Sequence, residues 1–505
     1  MNPTKRFPTL APRALACALM LVLAGCAVGP DYQRPDAPTV DRYTAQPLPA
    51  RTVAADTGGG DAQRFLQGQD VPQHWWTSFG SDELNRRVEQ ALAHSPTIAS
   101  AQAALREAEE NARAAHGGLF PSVDANAGAT RQKSSGAQFG GVAGGVSSSP
   151  FTVYNAGVSV GYVFDIFGGV RRGVEAQSAL ADAQRAQLDA TYLILATNVV
   201  TASLQEASLR EQVRATEEIA GSLRKELDIA QKQQQIGAKS LSDTLAVRSQ
   251  LATTEATLPT LRKQLSATQN QLATYLGITP AQLQLQPIEL ARVTLPQDVP
   301  VSLPSKIVEQ RPDIRASSAQ LHAATAQVGV ATANMLPQIT LSGSGGSQAL
   351  HSGDLFSSGT AAWSLGLNLL QPIFHGGELL HKKRAARAAM AAAAADWQQT
   401  VLTAFQNVAD ALQALDFDAQ GLAAQNTAEQ ASSKRLDLTR TQYQVGAVDY
   451  LSLLDAERQY QQSRIALIQA RAARLSDTAA LYAALGGGWN DADTNVAATT
   501  ATKGK

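Results

Sequence analysis

The sequence predicts a membrane α+β protein, an internally duplicated strand-helix unit in which four strands per chain accompany very long helices. Three observations predict it. Four short segments alternate apolar and polar residues, two Ala- and Gln-rich segments hold a helical pattern for about 65 residues, and the whole order occurs twice.

The N-terminus, MNPTKRFPTLAPRALACALMLVLAGC, reads as a secretory signal. Lys5, Arg6 and Arg13 precede an apolar run, Leu15 to Ala24, that is too short to span a bilayer as a helix. Leu23-Ala24-Gly25-Cys26 resembles the lipobox of bacterial lipoproteins, and that resemblance implies cleavage before Cys26, which would remove Cys17 and leave Cys26 first; these are the chain's 2 cysteines. The mature chain then has no thiol for a disulfide, a metal or catalysis if Cys26 is itself modified. A formal net charge of −1, falling to −4 once the 3 basic signal residues are lost, gives no basic field for nucleic acid.

The duplication organises the rest. Pro96, Ile98, Leu105 and Pro121 recur as Pro312, Ile314, Leu321 and Pro337, 216 residues on. Gln235-Ile-Gly-Ala and Leu276-Gly recur as Gln444-Val-Gly-Ala and Leu485-Gly, 209 residues on. The expected organisation is a signal over 1–25, an anchored N-terminal segment over 26–95, a first repeat over 96–277, a linker over 278–311, a second repeat over 312–486 and a disordered tail over 487–505.

Each repeat starts a helix at a proline, which suits a first helical turn, and follows it with two alternating strands. These are expected at about 121–131 and 151–165, then about 337–348 and 361–374. In YNAGVSVGYVF, Tyr154, Ala156, Val158, Val160, Tyr162 and Phe164 share one face, and Asn155, Gly157, Ser159 and Gly161 the other. Gly/Ser-rich loops join each strand pair. A long helix follows (about Gly169 to Gln235, and Gly377 to Tyr443), turns at Gly237 or Gly446, and returns as a shorter helix to Gly277 or Gly486. At 1.5 Å per residue a long helix reaches roughly 100 Å. A returning helix and a proline-started helix stacked end to end nearly match it.

Four strands cannot close a barrel, and an open sheet edge is not tolerated in lipid. The chain must therefore oligomerise, two copies giving 8 strands, three 12 and four 16. The apolar faces would meet lipid and the Gly/Ser/Asn faces a water-filled lumen.

With these elements in place, the ordered motifs carry a resemblance. Leu23-Ala-Gly-Cys26, then CAVGPDYQRP, QHWWTSFGSDELNRRVEQAL, QRPDI, MLPQITLSG and VGAVDYLSLLDAERQ together resemble the TolC/OprM-type outer-membrane efflux lipoproteins of the NodT family. The resemblance implies a trimeric 12-stranded β-barrel in the outer membrane, continued by a long periplasmic α-helical barrel. It implies diacylglycerol and an N-acyl chain on Cys26, and Ala27 in place of an inner-membrane retention Asp points to the outer membrane. It implies no cofactor and no enzymatic activity. The implied role is the passive exit duct of a tripartite pump for drugs or other small molecules, with a periplasmic adaptor and an RND-type inner-membrane transporter as partners. Two alternatives remain open: a type I protein-secretion channel on the same fold, and a lipid-anchored periplasmic coiled coil without a pore.

The resemblance also places a periplasmic gate just after Gly446. Leu451 and Asp455 lie four apart on one helical face, and three copies would make a Leu ring and a weakly cation-binding Asp ring. Ser452 stands where some relatives carry a second Asp. The residues alone also allow Asp455 to be a solvated acid paired with Arg458 or Arg464. Asp243 and Tyr443 match a pair that hydrogen-bonds neighbouring helices and locks the gate, whereas the lock's basic partner is replaced by Val448. Trp75 and Trp76 are expected in a collar at the waist rather than at a membrane interface. Lys382, Lys383, Arg384 and Arg387 would face lipid headgroups or plain solvent. The 7 histidines are scattered, with no HExxH and no phosphate loop, so no metal or catalytic site is expected.

Overall fold

A computed structural model describes residues 27–133 and 150–488. In chain order the elements are β1 (Arg64–Gln67), a 3-10 turn (Trp75–Phe79), α1 (Asp82–His94), α2 (Pro96–Gly117), β2 (Ser122–Gln132), β3 (Phe151–Phe164), α3 (Gly169–Gln235) and α4 (Leu241–Tyr275). Then come β4 (Asp298–Val301), α5 (Pro304–Gln310), α6 (Pro312–Ala333), β5 (Gln338–Ala349), β6 (Ala361–Leu370), α7 (Glu378–Gln444) and α8 (Tyr450–Ala484). The signal, Cys26 and most of the tail lie outside the described residues. No described helix is long and apolar enough to cross a membrane.

The chain forms two compact units that cut across the sequence repeats, each drawing on both. The first holds the residues before Pro35, then Arg106–Ala183 and Ser318–Asp396. Its centre is an antiparallel sheet in the order β2-β3-β5-β6. The register brings the apolar residues of all four strands onto one face. Val123, Val160, Gly343 and Leu365 form one row, and Ala125, Val158, Gly345 and Trp363 the next. The opposite face carries the row Asp124, Ser159, Ser344 and Ser364, with the last two hydroxyls 2.8 Å apart. Among the described residues the apolar face is uncovered at β6, where Trp363 is 82% exposed and Leu365 71%. A face so exposed and so apolar belongs against lipid.

The residues after Cys26 are fastened to the base of this sheet. Val28 donates its amide to the Phe167 carbonyl (3.0 Å), three residues past the end of β3. Arg172 of α3 reaches the Asp31 carboxylate, the Val28 carbonyl (3.4 Å) and Glu175 (2.7 Å). Tyr32 stacks on His322 at 4.4 Å and its hydroxyl meets that of Ser318 at 2.6 Å. Of the basic run that opens α7, Lys382 pairs with Glu378 at 2.5 Å, and Arg384 and Arg387 are exposed.

The second unit contains Pro35–Leu105, Gln184–Ser317 and the chain from Trp397. Here α4 ends against the start of α2, and α8 against the start of α6. Gly277 has φ 72°, and a Cβ there would meet the His94 carbonyl oxygen at 2.5 Å, so only glycine allows the junction. At the matching place Arg311 donates to the Ala484 carbonyl at 2.7 Å. Each returning helix thus stacks on a proline-started one, 35 and 22 residues long in both repeats.

Trp75, Trp76 and Phe79 are fully buried, with Trp75 against Tyr482 at 5.5 Å between ring centres. They are core residues and not interfacial anchors. The N-terminal segment also caps Arg474 of α8, whose guanidinium donates to the carbonyls of Gly59 (3.0 Å) and Asp61 (2.7 Å) and to the Thr52 hydroxyl (3.0 Å). Two four-residue strands, β1 and β4, pair in parallel nearby.

Candidate functional site: the paired helical turns

The two helix-to-helix turns, α3–α4 and α7–α8, are built alike because the sequence repeats there. Gly237 and Gly446 take left-handed backbones (φ 78° and 76°) and terminate their helices. In each turn the following residue donates back: Ala238 to Gln233 at 2.8 Å, Ala447 to Gln442 at 2.9 Å. The next helices are capped by different side chains at equivalent positions. Ser240 accepts from the Asp243 amide at 3.1 Å, and Asp449 accepts from the Ser452 amide (2.8 Å) and hydroxyl (2.6 Å). Those bonds hold the Asp449 carboxyl below its ordinary range.

The turn residues surround a small apolar core of Leu223, Val247, Leu436, Tyr450, Leu453 and Leu454. Burial at 450, 453, 454, 456 and 457 leaves Leu451, Asp455 and Arg458 on the outward face of α8. Leu451 is 63% exposed. Asp455 is not paired with Arg458 or Arg464. Arg435 of α7 donates to it at 2.7 Å, while Arg464 binds Glu218 of α3 at 2.6 Å.

Tyr443 does not find Asp243 within the chain. Its hydroxyl accepts from the Lys239 ammonium at 2.9 Å, and that ammonium also lies 3.7 Å from the centre of the Tyr450 ring. Lys239 precedes Val448 by 209 residues, the spacing of the turn repeat, so the basic residue missing from the second turn is present at the matching position of the first. Sequence reasoning missed it by searching only Val448; the repeat offset was the signal that could have found it. It also missed Glu457 of α8, which is 7% exposed. Burial pushes the Glu457 carboxyl up to about 8, helped by the Glu226 carboxyl at hydrogen-bonding reach and opposed by Arg440. No described group of three or more His, Cys, Asp or Glu is arranged to hold a metal.

Among the described residues, an exposed apolar sheet face, two sheet edges without a partner strand and helices of 67 residues fit an outer-membrane duct protein. The chain belongs to the outer membrane efflux protein family, which it matches over residues 88–278 and 303–487. It is 32% identical to the pyoverdine export outer membrane protein OpmQ of Pseudomonas aeruginosa, over 89% of this chain and 93% of that one. It is 28% identical to the probable efflux pump outer membrane protein TtgC of Pseudomonas putida, over 93% and 94%. The solved structure of the outer-membrane channel OprN superposes with a TM-score of 0.80 at 29% identity, covering 92% of this chain and all of that one. The protein is therefore an efflux duct of the outer membrane.

Proposed function

We propose that three copies of the chain close a 12-stranded barrel. The passive duct so formed exports drugs or other small molecules handed over by a periplasmic adaptor and an RND-type inner-membrane transporter. The observation that carries this is the four-stranded sheet with its bare apolar face and its two unpaired edges, β2 and β6, which lipid does not tolerate. The same sheet counts against a poreless coiled coil. The protein performs no chemistry of its own and carries no cofactor; energy enters at the transporter.

Leu451 and Asp455, outward on α8, would ring the axis and constrict the periplasmic end. Lys239 would hold that end closed through Tyr443 and Tyr450, with Asp243 left to face a neighbouring copy. Cys26 would carry the acyl chains. Ala27 packs against Gly168 at the foot of the sheet, so lipid on the preceding residue would enter the inner leaflet beside the barrel. The test is a pair of cysteines, one on β2 and one on β6. Oxidation should yield a covalent trimer on denaturing gels; covalent dimers or tetramers as the end product would refute the stoichiometry. Cys26→Ser should lose acyl labelling yet keep assembled trimer, because the strands provide the span.

A further inference from the structure

We propose that Glu226 of α3 and Glu457 of α8 share one proton and so form an acid pair that fastens the gate helix to α3 and loosens it as pH rises. The regulatory part rests on the reading of α8 as the gate helix.

Glu457 is buried at the foot of α8, and its Oε2 finds no donor among the described residues. The neighbouring group within reach is the Glu226 carboxyl, which as an anion can only accept. A proton held between the two supplies the missing donor and removes one of two like charges from a poorly solvated place. The other groups facing the pair fit one negative charge and not two. From α7, Arg440 approaches Glu457 at only 3.4 Å, stays 42% exposed and also leans toward Asp437 at 4.0 Å. From α8, the Tyr450 hydroxyl donates to Glu226 at 3.4 Å. From the α3–α4 turn, the Lys239 ammonium is engaged by Tyr443 and Tyr450. A cavity of about 300 Å³, lined by Glu218, Asp437, Arg440, Glu457, Tyr460 and Arg464, gives water and protons access to the Glu457 side of the pair.

The direction follows from linkage. A carboxyl that ordinarily titrates at 4.5 and is raised to about 8 when folded binds its proton more tightly in the closed arrangement. The fastening is therefore complete below about pH 4.5 and is lost progressively toward pH 8. Once the proton leaves, two neighbouring carboxylates repel and α8 separates from α3. Leu451 and Asp455 on the outer face of α8 move with it.

The experiment is hydrogen exchange of the α8 amides over 450–460 in the purified full-length protein between pH 5.5 and 8.5, corrected for intrinsic rates, alongside single-channel conductance. From these two pKa values, linkage predicts that protection falls by about two orders of magnitude across this range. Glu457→Gln and, independently, Glu226→Gln replace the shared proton with an amide donor and should keep protection high and flat. A flat wild-type profile, or one that both variants leave intact, overturns the acid pair. Protection that responds as expected while conductance does not change upholds the pair and overturns the gate reading.

Discussion

The Lys239 ammonium donates to the Tyr443 hydroxyl at 2.9 Å, joining the turn of the first repeat to the last turn of α7 in the second. The contact also places the cation over Tyr450, the first residue of α8. One side chain thus ties together both ends of the second turn, from the first-repeat position that matches Val448.

Replacing Lys239 should loosen the closed state. A half-buried cation–π contact and a charge-assisted hydrogen bond together are worth about 1–2 kcal/mol, or roughly 5–30-fold in the closed-to-open ratio. Lys239→Met keeps the stem and removes the charge, so it should raise spontaneous openings in planar bilayers, and Lys239→Arg should restore most of the closure. Equal open probability for the Met variant and wild type would show that the contact is incidental.

The two faces of the sheet should respond unequally to charge. Leu367 stands opposite Leu341 on the apolar face, and Asn368 stands opposite Thr340 on the polar one. Leu367→Asp should cost about 2 kcal/mol or more of barrel stability, since an acid near the lipid midplane lies at the low end of the 2–4 kcal/mol range. Asn368→Asp remains hydrated and should assemble normally. Comparable yields of assembled protein from the two variants would reverse the assignment of faces.

Arg474 should be indispensable to the unit that contains it. It is fully buried and supplies donors to Gly59, Asp61 and Thr52. Its charge also opposes the rise of the Asp418 carboxyl, which burial and Asp477 push to about 7. Arg474→Ala should cost about 3–5 kcal/mol by stranding those acceptors. Arg474→Met, which restores bulk without donors, should recover only a fraction. Thermal unfolding in detergent reads both, and full recovery by Met would mean that packing alone matters there.

Much of this fold was legible because its signals are periodic and doubled. The strands announce themselves by strict alternation, and the repeat offset aligns Pro96 with Pro312 and Gly237 with Gly446. The parts that stayed hidden have no period. β1 and β4 are four residues each, too short to alternate visibly, and pair across 234 residues (Arg64 with Asp298). The partner of Asp455 is also invisible in one dimension, because Arg435 lies 20 residues away across a turn and nearer acids and bases compete for it. Glu457 reads as one more polar residue in DAERQ. Its burial depends on the helical phase set by Leu453 and Leu454 and on Glu226 arriving from the other repeat.

Asp455 supplies the last test. If three copies of α8 bring their outward faces together, the Leu451 side chains supply bulk and the Asp455 carboxylates supply charge at a narrow neck. Like charges so placed favour cations and bind divalent ions reversibly. Within one chain, however, each Asp455 is paired with Arg435 at 2.7 Å, the two side chains left 57% and 51% exposed. Exposure makes that pair weak and salt-sensitive. Two opposite changes therefore follow. Asp455→Asn should lower cation selectivity and relieve block by divalent ions, whereas Arg435→Ala should strengthen both by freeing the carboxylate. Leu451→Ser should raise leak conductance with selectivity nearly unchanged, since it removes bulk and no charge. Reversal potentials across a salt gradient measure the charge effect and closed-state current measures the seal. If Asp455→Asn and Arg435→Ala leave the reversal potential where it was, the two residues are a solvated pair on the outside of the helix, and the constriction lies elsewhere.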